Sequence, residues 1–361
     1  MKKFILPALF AVIGLCGNEM QISGVNKNAE KILNYPIVER VTTSVSGDCN
    51  AVQVKDASGK IIPSQWDDLN GNGRIDPEDE ISFLADLAPG EFSFTCRFVK
   101  SNEKVKVDSA VKSPVVSIEN AFVKVSQHKH KLQLRNFYLK QQKRPVSVAG
   151  AFVLEPRMDN SWKWKNSALS VKVVSAGPVR QVLRVELVKK GIESDKTVKI
   201  INDLSVFSGR KEILSRLRFI NTSSSQLVQI NTVNAGMYQV MSDGKSPIED
   251  LSFRTITQSG KVRTSSFLLK RPASDRVLWA EVSGKNGGFA MILSPVNVQN
   301  CLIRSIAGGK AVRMSVLWGF EKAVLWPGRS VDTVSMFMPL LPAETSEKFV
   351  TTNNNIKRVM Q

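Results

Sequence analysis

The segment DLNGNGRIDPED, from Asp68 to Asp79, places oxygen-bearing side chains at alternate positions around a glycine. It fits the DxNxNGxxDxxD form of a calcium loop, in which alternate residues of a tight turn direct oxygens inward and the glycine permits the bend. An Asn-, Gly- and Asp-rich turn without metal has a similar composition. The predicted Ca²⁺ ligands are Asp68, Asn70, Asn72, Asp76 and Asp79, with the backbone carbonyl of Arg74.

The residues after this loop read as a strand, Ile81-Ser82-Phe83-Leu84, where an EF-hand has its second helix. Asp79 also stands where an EF-hand has a bidentate Glu, which weakens the predicted site. We therefore expect a calcium-binding hairpin with a structural role.

The two histidines, His128 and His130, are separated by one residue. In a strand this spacing places both on one face, as a metal pair requires, but the surrounding KHKLQ sequence also fits an exposed polar edge. Together with Tyr138 and Arg180, they are the catalytic candidates if the chain is an enzyme. The nucleophile elbow, HExxH, Walker loop, dinucleotide fingerprint and CxxC pair are all absent from the sequence.

Trp162 and Trp164, in the sequence NSWKWKN, would share one face of a strand. With Lys163 and Lys165 beside them, exposed indoles would form a ligand-binding platform suited to stacking on a charged sugar. Two tryptophans of an ordinary sandwich core give the same pattern.

The elements that position these residues are predicted to be strands. Short segments rich in Val, Ile, Thr and Phe alternate with Gly, Pro, Asn, Asp or Ser, and helical periodicity is nearly absent. In the stretch 179–188, apolar residues mostly alternate with Arg180, Arg184 and Glu186, which indicates one buried face and one wet face. The fold class is therefore predicted to be all-β.

The chain has the length of about two domains. A charged segment at 101–113, followed by Pro114, marks the predicted boundary. We expect a small β-barrel domain over 25–110, a larger β-sandwich over 111–342 and a C-terminal tail over 343–361.

The N-terminus resembles an export signal, with Lys2 and Lys3 ahead of an apolar run from Phe4 to Leu15. No later run approaches the length of a membrane span. We expect a signal peptide over 1–17 and an exported protein: periplasmic, extracellular or an outer-surface lipoprotein. A lipid anchor at Cys16 is the alternative to ordinary cleavage near Gly17.

An oxidising compartment would permit one disulfide among Cys49, Cys96 and Cys301, and Cys49 with Cys96 is the expected pair because both lie in strand-like segments of one domain. Three unpaired core cysteines are the alternative.

The formal charge of +18 makes polyanions the expected partners. Lys and Arg are scattered among strands and no nucleic-acid recognition motif appears, which argues against DNA or RNA. Outside the membrane the available polyanions are acidic polysaccharides and lipid head groups; a solvated basic surface is the alternative.

The stretch AVQVKDASGKIIPSQWDD, the Asp/Asn loop and DEISFLADLAPGEFSFTCRF together resemble the RIFT-type β-barrel at the start of exo-rhamnogalacturonan lyases. The later pieces SAGPVRQVLRVEL, FSGRKEILSRLRFIN and LWPGRSVDTVSMFMPL resemble the galactose-mutarotase-type β-supersandwich. Full lyases add an (α/α) barrel, which this chain lacks, so it most resembles two-domain relatives without an assigned function.

The resemblance implies a secreted protein that binds or processes polysaccharide, with an acidic polymer as the expected ligand. A lyase or glycoside hydrolase of uronic-acid-containing glycans is one alternative. A non-catalytic, envelope-associated structural protein is the other, because fold does not fix function.

Overall fold

The elements described by the computed structural model are strands. This confirms the all-β prediction.

The predicted signal peptide with Cys16, and Trp162, lie outside the described residues. The described residues are 19–42, 45, 49–100, 113–140, 147–151, 155–158, 164–192, 195–241, 252–257, 262–265, 277–284, 287–293, 300–308, 311–341, 344–347 and 356–357. Within these ranges no helix has the length and apolar character needed to cross a bilayer.

The chain divides into two compact units. The first comprises Met1–Lys106, Gly177–Val179 and Asn354–Val359, and the second comprises Val107–Ala176, Arg180–Asn353 and Met360–Gln361. The boundary expected between residues 110 and 111 falls in a segment outside the described residues.

The strands of the first unit are β1 (Glu19–Asn26), β2 (Ile32–Arg40), β3 (Ala51–Asp56), β4 (Ile61–Ile62), β5 (Ser64–Asp67), β6 (Glu80–Leu87), β7 (Gly90–Val99) and, near the C-terminus, β25 (Ile356–Lys357). They form a five-stranded sheet in the order β25-β1-β7-β3-β4 and a three-stranded sheet in the order β2-β6-β5. Both sheets contribute alternate residues to one core that includes Ile22, Val54, Phe83 and Phe94. The segment 343–361, expected to be a tail, thus supplies an edge strand paired with β1.

The strands of the second unit are β8 (Val115–Glu119), β9 (Val123–His128), β10 (Lys131–Leu139), β11 (Ser147–Ala151), β12 (Glu155–Met158), β13 (Trp164–Ala176), β14 (Arg180–Gly191), β15 (Thr197–Phe207), β16 (Ile213–Asn221), β17 (Val228–Met241), β18 (Ser252–Thr257), β19 (Val262–Ser265), β20 (Val277–Gly284), β21 (Gly287–Leu293), β22 (Asn300–Gly308), β23 (Ala311–Leu325) and β24 (Ser330–Leu340). An eight-stranded sheet follows the order β22-β23-β17-β11-β10-β9-β8, with β12 paired to β17. A nine-stranded sheet follows the order β13-β14-β15-β16-β24-β21-β20-β18-β19.

The two large sheets enclose one apolar core, which confirms the predicted β-sandwich. Phe137 of the eight-stranded sheet stacks on Phe289 and Phe337 of the nine-stranded sheet, with ring centroids 5.9 and 5.5 Å apart. Aromatic rings bury the largest apolar area per residue, so this cluster forms a central part of the core.

Strand β14 shows how the sequence pattern sets the two faces of the nine-stranded sheet. Leu183, Val185 and Leu187 point into the sandwich core, and Arg184 and Glu186 alternate with them on the opposite face. Because directly paired residues of neighbouring strands point the same way, the alternation in β14 defines an outer face for the sheet.

Strand β13 lies at one end of this sheet order and pairs only with β14 among the described strands. Its pairing register shifts between Asn166 and Ala168 and again between Val173 and Ser175. The strand is therefore bent twice by local irregularities.

Candidate functional site

The oxygen-rich loop connects β5 to β6, and the Asp67–Glu80 pair closes it. Leu69 and Ile75 point inward and are buried, which ties both halves of the loop to the first unit. The backbone continues this attachment, because Val45 N donates to the Ile75 carbonyl at 3.1 Å and Val41 N to the Asp79 carbonyl at 3.1 Å. The loop thus has a defined conformation.

Asp68 organises the turn at the start of the loop. Its Oδ1 accepts hydrogen bonds from Gly71 N at 2.7 Å and Asn72 N at 3.2 Å, and its Oδ2 accepts one from Gly73 N at 2.9 Å. Gly71 and Gly73 have φ values of 77° and 73°, a conformation that L side chains rarely adopt. The glycine predicted at the sixth loop position therefore serves the sharp bend.

The side chains of Asn70, Asn72 and Asp76 converge. The Nδ2 groups of Asn70 and Asn72 donate to Asp76 Oδ2 at 2.9 and 2.7 Å. Burial opposes the charged form of Asp76, but hydrogen bonds from Asn72, Glu78 N and Asn70 outweigh it and hold the pKa of Asp76 below its ordinary value. The carboxylate therefore stays ionised at neutral pH, as a cation ligand must.

Asp79 anchors the end of the loop. Its carboxylate is fully buried and accepts hydrogen bonds from Trp66 Nε1 at 3.0 Å, Leu69 N at 3.0 Å and Asp76 N at 3.2 Å. Burial raises the pKa of Asp79 to about 6, against the effect of these hydrogen bonds, and the charge of Asp76 adds to the rise. The residue predicted as the twelfth-position ligand thus has both oxygens engaged, by Trp66 of β5 and by two backbone N–H groups of the loop.

The remaining oxygen set fits a hard cation by chemistry, with two carboxylates, two amides and a backbone carbonyl. In the described part of the chain, no group of three or more His, Cys, Asp or Glu side chains is placed to hold a metal ion. A cation here would need the oxygens of Asn70 and Asn72, which now accept from Asn72 N at 2.9 Å and Arg74 N at 2.7 Å.

The four catalytic candidates do not converge. His128 ends β9 and His130 lies in the turn before β10, so a single strand does not carry both. The His128 Nδ1 accepts a hydrogen bond from His130 N at 3.1 Å, as in a tight turn. Tyr138 pairs with Lys124 of β9, four residues before His128 and roughly 13 Å away from it at strand rise. Arg180 is buried at the start of β14 in the other large sheet.

Trp164 is half-buried at the start of β13 and packs against the sandwich core. Its Nε1 is buried and has no hydrogen-bond partner among the described residues. The interpretation of Trp164 as a residue of the sandwich core therefore fits better than its interpretation as part of an exposed sugar-binding platform. Trp162 lies outside the described residues.

A charged strip, which sequence motifs did not single out, crosses the outer face of the nine-stranded sheet. Arg184, Asp203 and Arg216 are successive partners on β14, β15 and β16, and Glu186, Arg218 and Asp332 point to the same face. Arg184 binds Asp203 through two hydrogen bonds of 2.7 and 2.8 Å, and Arg218 contacts Asp332 at 3.2 Å. The charged strip consists of Lys172, Arg184, Glu186, Lys199, Asp203, Arg216, Arg218 and Asp332.

The strip carries five cationic and three anionic side chains, so it is net positive. Its ion pairs are largely buried, with Arg184 and Asp203 each only 11% exposed. The Arg184 guanidinium binds the Asp203 carboxylate in the planar, bidentate geometry that arginine favours. The only sequence signal was the alternation in 179–188, because the pairing register of five strands is needed to bring the residues together.

The expected Cys49–Cys96 disulfide is absent, since neither residue is in a disulfide bond in the structure. The β3–β7 register pairs Val54 with Cys96, five residues along the strand direction from Cys49. At strand rise this separation is roughly 16 Å, beyond the reach of a disulfide. Lying in one domain was therefore an insufficient criterion for pairing.

No protein-family model and no curated protein matches this chain. Solved structures do resemble it. The Slr1438 protein from Synechocystis sp. PCC 6803 has a TM-score of 0.43 and 11% identity over 67% of this chain and 100% of that one. A galactose mutarotase related enzyme from Lactobacillus acidophilus has a TM-score of 0.41 and 11% identity over 62% of this chain and 97% of that one. An alpha-mannosidase from Enterococcus faecalis V583 has a TM-score of 0.47 and 9% identity over 94% of this chain but 45% of its own length.

Proposed function

We propose that this chain is an exported, calcium-stabilised protein that binds or processes acidic polysaccharide. The observation that carries the proposal is the charged strip, where five cationic side chains lie together on one face of a rigid sheet. A polymer with a carboxylate on successive sugars matches a row of guanidinium and ammonium groups, because each pair forms charge-assisted hydrogen bonds. The net charge of +18 would favour the encounter.

The test is retention of the mature protein on polygalacturonate, alginate and ulvan, with a neutral glucan as comparison. Arg218→Ala should weaken retention on the polymer that binds the wild type. Arg97→Ala is the matched control, because Arg97 is also ion-paired, with Glu19, but lies on β7 of the first unit. Failure of the wild type on all three acidic polymers, or equal losses in the two variants, would sink the proposal.

Processing is separated from binding by assaying the retained polymer for unsaturated or reducing ends. New ends would make the protein a lyase or hydrolase, and binding without new ends would make it a binding module. Preference for anionic lipid vesicles over every glycan would favour the envelope-associated alternative.

The calcium site is part of the same proposal. Asp68, Asn70, Asn72, Asp76 and the Arg74 carbonyl would supply oxygens, while Asp79 holds the end of the loop in place. The supporting observation is the convergence of Asn70 and Asn72 on Asp76 Oδ2. Calorimetric titration of chelator-treated protein with CaCl2 tests this assignment.

Asp68→Ala should abolish the calcium binding signal. Asp56→Ala is the matched control, because the Asp56 carboxylate organises another turn of the first unit through Ser58 N at 2.9 Å and Lys60 N at 3.0 Å. Loss of calcium binding in both variants would mean that general damage to the unit, and not a lost ligand, is responsible. No heat of binding in the wild type would remove calcium from the proposal.

A further inference from the structure

Among the residues that the structure describes, Trp326 is the most exposed large apolar side chain, with 65% of its surface open to solvent. Trp326 directly follows Leu325, the last residue of β23. Leu325 itself is buried in the sandwich core. Val324 and Leu227 flank the Val228–Leu325 pair and are also exposed. A large indole at such a position adds nothing to the core, so its presence calls for another role.

The turn that carries Trp326 is held firmly. Arg329 N donates to the Trp326 carbonyl at 2.9 Å, which closes a four-residue turn. Pro327 at its second position and Gly328, with a φ of 75°, at its third position fit a type II turn. Gly328 N donates to the Asn221 carbonyl at 2.8 Å, and Asn221 N donates to the Arg329 carbonyl at 3.0 Å. The turn is thus bonded to the end of β16 on both sides.

The side chain of Asn221 adds a second set of bonds. It is fully buried, and its Nδ2 donates to the Gln226 carbonyl at 2.7 Å and to the Leu325 carbonyl at 2.8 Å. Its Oδ1 accepts from Ser223 N at 3.0 Å. The loop that ends at Leu227 and the turn after Leu325 are therefore joined through one amide. The exposed indole is presented by an ordered support, which limits the entropy lost when a ligand binds.

Arg329 supplies a positive charge on the same turn as the indole. Residues i and i+3 of a β-turn lie within about 7 Å at their Cα atoms, so Trp326 and Arg329 are close neighbours. The Arg329 side chain is exposed, and no ion pair involves it within the described ranges. The 222–226 loop, which is bonded to Asn221, consists of polar residues.

We propose that Trp326 and Arg329 form an aromatic subsite for one sugar unit of an acidic polysaccharide. The apolar C–H face of the sugar stacks on the indole, and the sugar carboxylate binds the guanidinium. An indole beside a cation favours this occupant over a neutral apolar partner. The inference rests on the proposed function for its ligand class, but it uses none of the residues of the charged strip.

The experiment titrates the full mature chain with oligomers of the acidic polymer that the wild type retains, and with the methyl-esterified form of the same oligomer. Trp326→Ala should weaken binding of both forms about tenfold, as loss of a stacked ring would. Arg329→Ala should weaken binding of the acidic form only. Leu33→Ala is the matched control, because Leu33 is 58% exposed and lies in the first unit.

Fluorescence gives an independent readout. Ligand should change the emission of the wild type, and Trp326→Phe should remove most of that change while keeping part of the affinity. Unchanged affinity in Trp326→Ala, or an equal loss in Leu33→Ala, overturns the subsite and leaves the proposed function standing. No binding of the wild type to polygalacturonate, alginate or ulvan overturns both. A change of oligomeric state in Trp326→Ala without any change in glycan affinity would assign the indole to a second copy of the chain.

Discussion

At the scale of single residues, the Arg184–Asp203 pair differs most from the surface ion pairs. Its two hydrogen bonds and low exposure mean that water screens it weakly. Lys31 and Asp86 form a comparison pair at 3.0 Å with side chains 53% and 46% exposed. Comparing variants of the two pairs therefore tests how burial changes the free energy of unfolding that is lost when one charged partner is removed.

Arg184→Ala should lower the free energy of unfolding by about 1 to 3 kcal/mol, because it leaves the Asp203 carboxylate without its bidentate partner. Lys31→Ala should change it by less than about 0.5 kcal/mol, as exposed pairs do. Urea unfolding of both variants checks this. Equal effects would show that the Arg184–Asp203 pair is as solvated as a surface pair.

Cys96 is the second residue whose environment has a measurable consequence. Burial raises the pKa of the Cys96 thiol to about 12, and the charge of Glu39 acts in the same direction. The folded thiol therefore keeps its proton above pH 9, where the unfolded thiol loses it. The unfolded state then binds fewer protons, so stability should fall as pH rises through this window.

Two measurements check this prediction. In native protein, iodoacetamide at pH 8 should label Cys49 before Cys96, and urea should make both reactive. Between pH 9 and 11, Cys96→Ala should lose stability less steeply than the wild type. Rapid labelling of native Cys96, or parallel pH profiles, would contradict the buried assignment.

At the scale of elements, the loop between β5 and β6 combines an anchor with the proposed calcium site. Asp79 forms the anchor through Trp66, Leu69 and Asp76, and Asp68 is a proposed ligand. We therefore expect the effects of replacing the two residues to differ in their dependence on calcium.

In EDTA, Asp79→Ala should lower the free energy of unfolding by about 2 to 4 kcal/mol, because three donors lose their buried acceptor. Asp68→Ala should cost less in EDTA, since the amides that it releases lie in an exposed part of the loop. Added CaCl2 should raise the melting temperature of the wild type but not of Asp68→Ala. A larger loss for Asp68→Ala in EDTA would reverse the two roles.

The elements also show what local pattern can and cannot predict. The β14 alternation was recognised because one face of the strand is apolar, and the segment is a strand in the structure. Period-two reasoning assumes a continuous strand, so it does not apply to His128 and His130, where a turn interrupts the segment. The Cys49–Cys96 expectation failed because it needed a register, which depends on residues far apart in the chain.

At the scale of the whole molecule, the net charge sets how binding should respond to salt. If an acidic polymer is held by ionic contacts, retention should fall steeply between about 50 and 500 mM NaCl, because exposed charges are screened within about 10 Å or less. Retention on the methyl-esterified polymer should change little. Salt-independent retention on the acidic polymer would contradict a role for the charge.

The candidate site was less accessible from the sequence than the fold. The loop at Asp68–Asp79 is local in sequence and could be recognised from spacing alone. The charged strip brings together residues from β13 to β24. The turn that exposes Trp326 is held by hydrogen bonds to Asn221, which lies about a hundred residues earlier in the chain. Such arrangements follow from tertiary pairing, which single-sequence patterns do not encode.

The two register shifts of β13 bear on how the molecule behaves at high concentration. A strand of 13 residues at a sheet end offers a row of backbone groups on which a strand of another molecule could add. The shifts break that row twice, and the exposed Lys165 and Lys172 place positive charge along it. An incoming copy would meet both a bent template and a like charge, so the irregularities of β13 protect the protein from edge-to-edge aggregation.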